Sequence, residues 1–521
     1  MKIFSRGSAL VLLLCCLLNT SQAQTKVFKE VSDEIASTMR VIVQDNSLVG
    51  YLVFTRLEAV NKDSFAYKIS IMDENLNDIG VVNFREKNLT LSEVAFEQDV
   101  LCLVYLKSNV KAKSSKSKRD RESRDDDANY VFTQFINLDG KIIKTNAEKI
   151  EVEKSGYYYY AASSRITVTQ DGLKQGIQLK NIPRKGFVLF YGDQVRNYLT
   201  AYTPKGEKMW EKHPSQSPKN YVLLTTPTDV YALTSDVTNS TIDYELSGYS
   251  AADGSTYDNY ALKDKKGNNL TVLAFENDIA TGSPYICGYI NNGQTIPTSV
   301  RSITKSPYVG VFTIDISGGK RSDYKANYSY WTEGKNNAIA ERGRLSGYKE
   351  YPYFERSFRD FQGNTYFAGS LVKKKTKVGT IIATLVTIPM LVAPFIALTG
   401  FTKFRGTDAL LLKQTPKGQI TLENTIASNK TSYQRGSSWA SSISNKDYHI
   451  VTNSNTKNNY LIVDDQKDIS IYNIQSKKVI RTIPHKDGNV KTYVFPAKDG
   501  SIMVSEYNRK ERYTRLSIES L

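Results

Sequence analysis

Residues 448–483 read YHIVTNSNTKNNYLIVDDQKDISIYNIQSKKVIRTI, and this stretch decides the fold. It holds four apolar runs, YHIVT, NYLIV, ISIYNI and KVIRTI, separated by polar breaks. Runs this short, rich in β-branched and aromatic residues, specify strands, and breaks built from Asn, Asp, Ser and Lys specify tight reversals. Four strands in a row make one small antiparallel sheet. Such a sheet cannot cover its own apolar faces, so neighbouring copies must stack on it.

Working outward, the motif of strand, polar turn and second strand recurs. It is present at Tyr67–Phe84, Val131–Ile143, Tyr198–Trp210, Tyr244–Ala261, Val309–Lys320, Ala409–Leu422 and Ile469–Ile483, most copies about 45 to 70 residues apart. Further strand pairs lie between them, as at Tyr221–Leu233 and Tyr448–Val463. Four strands per period is the arithmetic of a propeller blade. The expectation is an all-β, β-propeller-like fold over 24–521, with six to eight four-stranded blades and seven favoured by the hairpin count. Two tandem β-sandwiches or smaller propellers are the alternative. Abundant tyrosine (34 residues) suits half-buried strand surfaces.

The hairpins TDALLLKQTPKGQITLENTI (407–426) and ISIYNIQSKKVIRTI (469–483) carry a resemblance to uncharacterised secreted bacterial β-propeller proteins. The resemblance implies architecture and compartment and brings no active site with it.

Secretion is also read from the N-terminus. Lys2 and Arg6 precede the ten-residue apolar run Ala9–Leu18, and Ser21-Gln22-Ala23 supplies small and polar residues before Gln24. A run this short suits a signal peptide and not a membrane span, so 1–23 reads as a cleaved leader. Beyond it only Cys102 and Cys287 remain, each inside an apolar strand-like run, which points to buried free thiols rather than a disulfide framework. The formal charge of +16 favours acidic partners.

Two segments break the strand pattern. Lys107–Asp127 (KSNVKAKSSKSKRDRESRDDD) has no aromatic residue and too little apolar surface to offset its ordering entropy, so 107–129 reads as a disordered charged loop. Val378–Thr402 holds 25 uncharged residues, preceded by Lys373, Lys374, Lys375 and Lys377 and followed by Lys403 and Arg405. As a helix it would rise about 37 Å, against a hydrocarbon core of about 30 Å. It interrupts one blade, because Thr365–Val372 and Asp408–Lys413 read as strands of the same sheet. Pro389 and Pro394 break helical hydrogen bonding. The expectation is an apolar helical insert over 373–405 inside one late blade. It could dip into one leaflet and return, cross the bilayer, or be buried against protein. Its membrane-contacting residues would be Ile381, Ile382, Leu385, Ile388, Leu391, Phe395, Ile396 and Phe401. Lys373, Lys374, Lys375, Lys377, Lys403 and Arg405 would meet an anionic surface.

Chemical motifs are scarce. His213, His449 and His485 lack metal-ligand spacing, and no Gly-x-Ser-x-Gly or phosphate-cradling motif occurs. Asp464, Asp465 and Asp468 read as a solvated turn, and Tyr157–Tyr160 as a packed strand edge. No cofactor, metal or catalytic residue is expected. The functional expectation is an exported, envelope-associated, non-enzymatic propeller that binds a protein or glycan and is held near a membrane surface or integral membrane protein. Nucleic acid is not expected as a partner. The alternatives are a hydrolase with its active site in the propeller channel, or an accessory subunit of a membrane transport or assembly complex. Acidic, histidine or serine groups converging in a deep channel would favour the hydrolase.

Overall fold

Every strand of the computed structural model pairs antiparallel, all but Gln24–Lys29 and Gln434–Arg435 with a sequence neighbour, and the pairings form eight separate sheets. The structure describes residues 24–29, 36–44, 47–60, 64–87, 89–108, 129–150, 177–192, 196–214, 220–238, 241–257, 259–293, 300–305, 307–316, 324–333, 338–339, 343–376, 402–435, 445–485 and 488–521. Blades 1 to 7 span 36–86, 89–150, 178–212, 220–261, 270–330, 350–426 and 447–484. Residues 447–484 form one blade of four strands, as their sequence specifies.

The blade count corrects the expected seven to eight. Six of the seven hairpins read from the sequence fall on the third and fourth strands of blades 1 to 4, 6 and 7; Val309–Lys320 covers the third strand of blade 5, Tyr308–Asp315, but stops short of the fourth, Lys325–Tyr330. In blade 8 those two strands come from opposite ends of the chain. Val490–Pro496, Ser501–Asn508 and Tyr513–Ser520 supply three strands, and Gln24–Lys29 supplies the fourth, in register from Gln24↔Ile518 to Lys29↔Tyr513. No local hairpin therefore marks it.

The first strands of successive blades touch one another from blade 1 through blade 8, so they surround the axis. Second strands are buried, as in Gly186–Gly192, whereas the fourth strand Lys478–Pro484 is exposed along nearly its whole length. Among the described residues the core comprises eight apolar clusters, one between each pair of neighbouring blades, and a ninth, smaller one around Phe404. Each fully buried large apolar side chain contributes roughly 1.5–3 kcal/mol. Cys102 and Cys287 are buried free thiols, as expected.

The expected helical insert is also corrected. Among the described residues the one helix is Val300–Ile303, of four residues, and no helix is long and apolar enough to cross a membrane. At the insert's place the described chain is extended: Thr365–Thr376 and Thr402–Gln414 stay in register out to Thr376↔Thr402. Residues 377–401, which include the eight expected membrane contacts and Lys377, lie outside the described residues. So do the leader, Tyr157–Tyr160 and 109–128, while Lys107, Ser108 and Asn129 belong to strands.

With four antiparallel strands per blade, connections alternate between two faces. Joints between strands one and two, or three and four, lie on one face, called here the turn face. Joints between strands two and three, and between blades, lie on the other, the loop face. No turn-face connection exceeds nine residues. The longer connections, after Ser108, Ile150, Asn291, Tyr330, Thr376 and Ile426, all leave from the loop face.

Four turn-face corners show how side-chain caps set them. The Asp360 carboxylate accepts from the Gln362 amide (2.9 Å), the Asn364 amide (2.8 Å) and Asn364 Nδ2 (2.8 Å). Asp73 does the same for Asn75 and Asn77. Thr203 and Thr415 cap the amides of Glu207 and Gln419. The residue before each closing position has positive φ, which glycine adopts freely; it is Gly363, Gly206 and Gly418, with Leu76 (φ 65°) in the Asp73 corner.

Candidate functional site

The outer part of the 365–376 and 402–414 pair forms a two-stranded ribbon on the loop face. Its register places Lys373 opposite Arg405, Lys374 opposite Phe404 and Lys375 opposite Lys403. Positions two apart in a strand share a face, so Lys373, Lys375, Lys403 and Arg405 make a four-cation patch on one side. Phe404 on the other side is 1% exposed and packs with Ile303, Tyr353 and Val372, anchoring the ribbon to the blade. Like charges directly opposite one another are destabilising, by roughly 0.2–1 kcal/mol per pair. The ribbon carries two such pairs.

A third segment completes the ribbon. Gln434 pairs with Phe404 and Arg435 with Lys403. Thr431 Oγ1 accepts from the Gly406 amide at 2.8 Å, and the Thr431 amide donates to Gly406 O at 3.1 Å. This tether sets Tyr433 over the patch, its ring centroid 5.4 Å from Lys375 Nζ and 4.9 Å from Arg405 Cζ. The Glu350 carboxylate lies 3.4 Å from Lys373 Nζ. Among the described residues no carboxylate reaches ion-pair distance of Lys375, Lys403 or Arg405, and the buried Arg405 Nε has no acceptor.

Five of the six expected anionic-surface residues are therefore described, and four share one face. Lys374 lies on the other. Tyr433, 58 residues beyond Lys375 in the chain, was not legible, since only sheet register brings it here. The pairing of Thr376 with Thr402 makes the two residues that flank 377–401 neighbours in one sheet.

The axial channel holds a second group. Lys180, Glu276, Arg356 and His449 stand on the first strands of blades 3, 5, 6 and 7. Solvent reaches the first three, although protein surrounds Glu276. Burial pushes the Glu276 carboxyl up, and the charges of Arg356 and Lys180 oppose that rise. The His449 imidazole is pushed down, first by burial and then by Arg356, against the opposing pull of Asp447 and Asp464. Its ring meets Phe495 edge-on at 5.9 Å. His213 Nδ1 sits 3.2 Å from Asn197 O, and His485 Nε2 2.8 Å from Asp464 Oδ1.

The expected acidic turn at 464–468 uses its carboxylates on backbone. Asp464 accepts from the Gln466 amide and Asp465 from those of Lys467 and Asp468. Among the described residues no group of three or more His, Cys, Asp or Glu is placed to hold a metal ion.

Eight four-stranded blades around a solvated channel, closed by the N-terminal strand, define an eight-bladed β-propeller. The chain belongs to a family of unknown function, DUF6770, whose model matches residues 5–521. No curated protein matches it. Similar solved structures include apo AztD from Citrobacter koseri (9% identity, TM-score 0.38, covering 91% of this chain and 96% of that one). The Cps50 (Swd1) β-propeller domain of Myceliophteria thermophila is similar at 7% identity and TM-score 0.36, covering 95% of this chain and 99% of that one. TolB from Acinetobacter baumannii follows at 11% identity and TM-score 0.25, covering 80% and 79%. Likeness at this level carries no inference about function.

Proposed function

We propose that the chain is an exported binding propeller, held at a membrane face by the apolar segment 378–402 and taking a protein or glycan partner on its loop face. The observation that carries this is the ribbon. An apolar segment of 25 uncharged residues leaves and re-enters the blade beside a cationic patch, on the face that bears every long connection. Apolar contact and headgroup attraction would then act at one place. Gln24 opens the strand that closes blade 8, so cleavage after Ala23 would leave the propeller whole. Detergent-free fractionation of chains with and without 378–402 tests the attachment. The full chain should partition with membranes and the shortened chain should not; two equally soluble chains would reject it. Protease accessibility of tags at residue 115 and at the C-terminus, in intact and lysed cells, tests export.

The channel group supports a second reading, a hydrolase working there. A carboxyl pushed up and an imidazole pushed down are candidates for acid and base. Glu276→Gln and His449→Gln, assayed on a panel of chromogenic esters and glycosides, test it: turnover by the parent chain that both variants lose would favour the enzyme.

A further inference from the structure

We infer that Lys373, Lys375, Lys403 and Arg405, with Tyr433 above them, form a binding site for a phosphomonoester group. The inference rests on the membrane-facing reading only for the source of that group, a lipid headgroup or a soluble phosphate.

Three observations lead to it. First, the register places like charges opposite each other in two successive rows. Cross-strand neighbours stand about 5 Å apart and the rows about 7 Å apart. Long Lys and Arg side chains on such a frame can converge on one tetrahedral anion. Second, the charge is not balanced from within. Glu350 lies by Lys373, and three cations remain without a carboxylate among the described residues. A monoanion would leave most of that charge uncompensated, whereas a phosphomonoester carries about 1.5 to 2 negative charges at pH 7. Third, Arg405 Nε is a buried donor with no acceptor among the described residues. Leaving a charged donor unpaired costs more than losing an average hydrogen bond, and an oxygen-rich anion that displaced the atoms covering it would satisfy it. Tyr433 holds Lys375 and Arg405 by cation–π contact, which preserves their charge while fixing their position.

The site makes a prediction that a structural ribbon does not. Removing one cation should weaken ligand binding and leave the free protein as stable or more stable, because a repulsion is lost. The test uses the full chain, Lys375→Thr and Arg405→Gln. Titration calorimetry with inorganic phosphate should give binding to the parent chain that falls tenfold or more in each variant, while acetate binds neither. Melting in phosphate-free buffer should place Lys375→Thr at or above the parent. No phosphate binding by the parent, equal binding by the variants, or a clearly lower melting temperature for Lys375→Thr would overturn the site.

Vesicle flotation separates the two sources. Phosphatidylcholine vesicles are compared with ones doped with phosphatidic acid, a monoester, or phosphatidylglycerol, a diester. Preference for phosphatidic acid, competed by inorganic phosphate, supports the site and assigns the lipid source. Phosphate binding without flotation keeps the site, assigns a soluble ligand and rejects the membrane reading alone. Flotation indifferent to phosphate and to both substitutions keeps the membrane reading and rejects the site alone.

Discussion

The two faces of the propeller differ in the length of their connections. On the turn face, corners are short and several are closed by their own side chains: Asp360 makes three hydrogen bonds within five residues, and Asp73 repeats them. On the loop face, connections after Ser108, Ile150, Thr376 and Ile426 run far longer than any reversal needs. A reversal costs few residues, so length beyond that requirement has another cause. Short connections are tied to the fold, whereas length beyond a reversal is free of that requirement.

The strongest way to break this comparison is at the one corner the turn face lacks. Blade 8 has chain ends where other blades have a hairpin, and its fourth strand is Gln24–Lys29. Phe28 packs into the cluster of Tyr51, Met72, Met503 and Leu516 between blades 8 and 1, and Lys26 Nζ lies 3.3 Å from Leu76 O. Deleting 24–29 should lower stability by about 4 kcal/mol or more, from lost strand hydrogen bonds and apolar burial. Phe28→Asp should act the same way. Urea denaturation reads both, and an unchanged midpoint would mean that the ring does not close through this strand.

Next in size is a capped corner. Asp360 and Asn364 are 3% and 6% exposed, so Asp360→Ala leaves buried donors without an acceptor. The expected loss is about 2–4 kcal/mol. Asp73→Ala should cost less, because its corner is more exposed. For Asp73, burial works to raise the carboxyl, but the Asn77 side chain and the amides of Asn77 and Asn75 together hold it below its usual value. Its contribution is therefore present at neutral pH and lost as pH falls through the folded value. Equal stability of parent and Asp360→Ala would remove the distinction between the faces.

The legibility of the sequence divides along the same line. Caps and hairpins are local, so six outer hairpins, the third strand of blade 5 and the whole of blade 7 could be read from strand runs and turn residues. The eighth blade could not, because Gln24 and Ile518 meet only in three dimensions. The basic residues around 378–402 were legible as a flanking cluster. Their sorting, four cations on one side and Lys374 with Phe404 on the other, needed the register. A long uncharged run with basic flanks reads as a helix by length alone, and the extension of the pairing to Thr376 and Thr402 is a tertiary fact. The channel group was invisible, since Lys180 and Glu276 lie in different blades and meet only around the axis.

A smaller effect is expected when the loop face is cut. Thr376 and Thr402 are paired neighbours, so an Asn-Gly turn can replace 377–401. Loop-closure entropy changes slowly with length, and the stability should move by about 1 kcal/mol or less. Transplanting the same 25 residues into the 361–363 corner should instead disrupt blade 6, by breaking the Asp360 cap. Comparable destabilisation from both operations would show that the two faces are not distinct.

The smallest effect lies in the channel that joins the faces, and its sign discriminates between two groups. His449 has a folded pKa below its unfolded value, so the unfolded chain takes up the proton first as pH falls. Stability should drop through the unfolded histidine range of about 6.5 and go on dropping until the folded imidazole protonates. Glu276 has the opposite sign: its folded pKa is raised, so the fold binds the proton first and gains from acidification at lower pH. Denaturation midpoints of the parent, His449→Gln and Glu276→Gln at pH 7.5, 5.5 and 4.5 resolve the two. His449→Gln should flatten the loss between the first two pH values, and Glu276→Gln should lose more stability than the parent as pH falls to the last. A His449→Gln profile that follows the parent would mean that water in the channel solvates the imidazole as fully as bulk solvent does, and that the channel has no electrostatic character of its own.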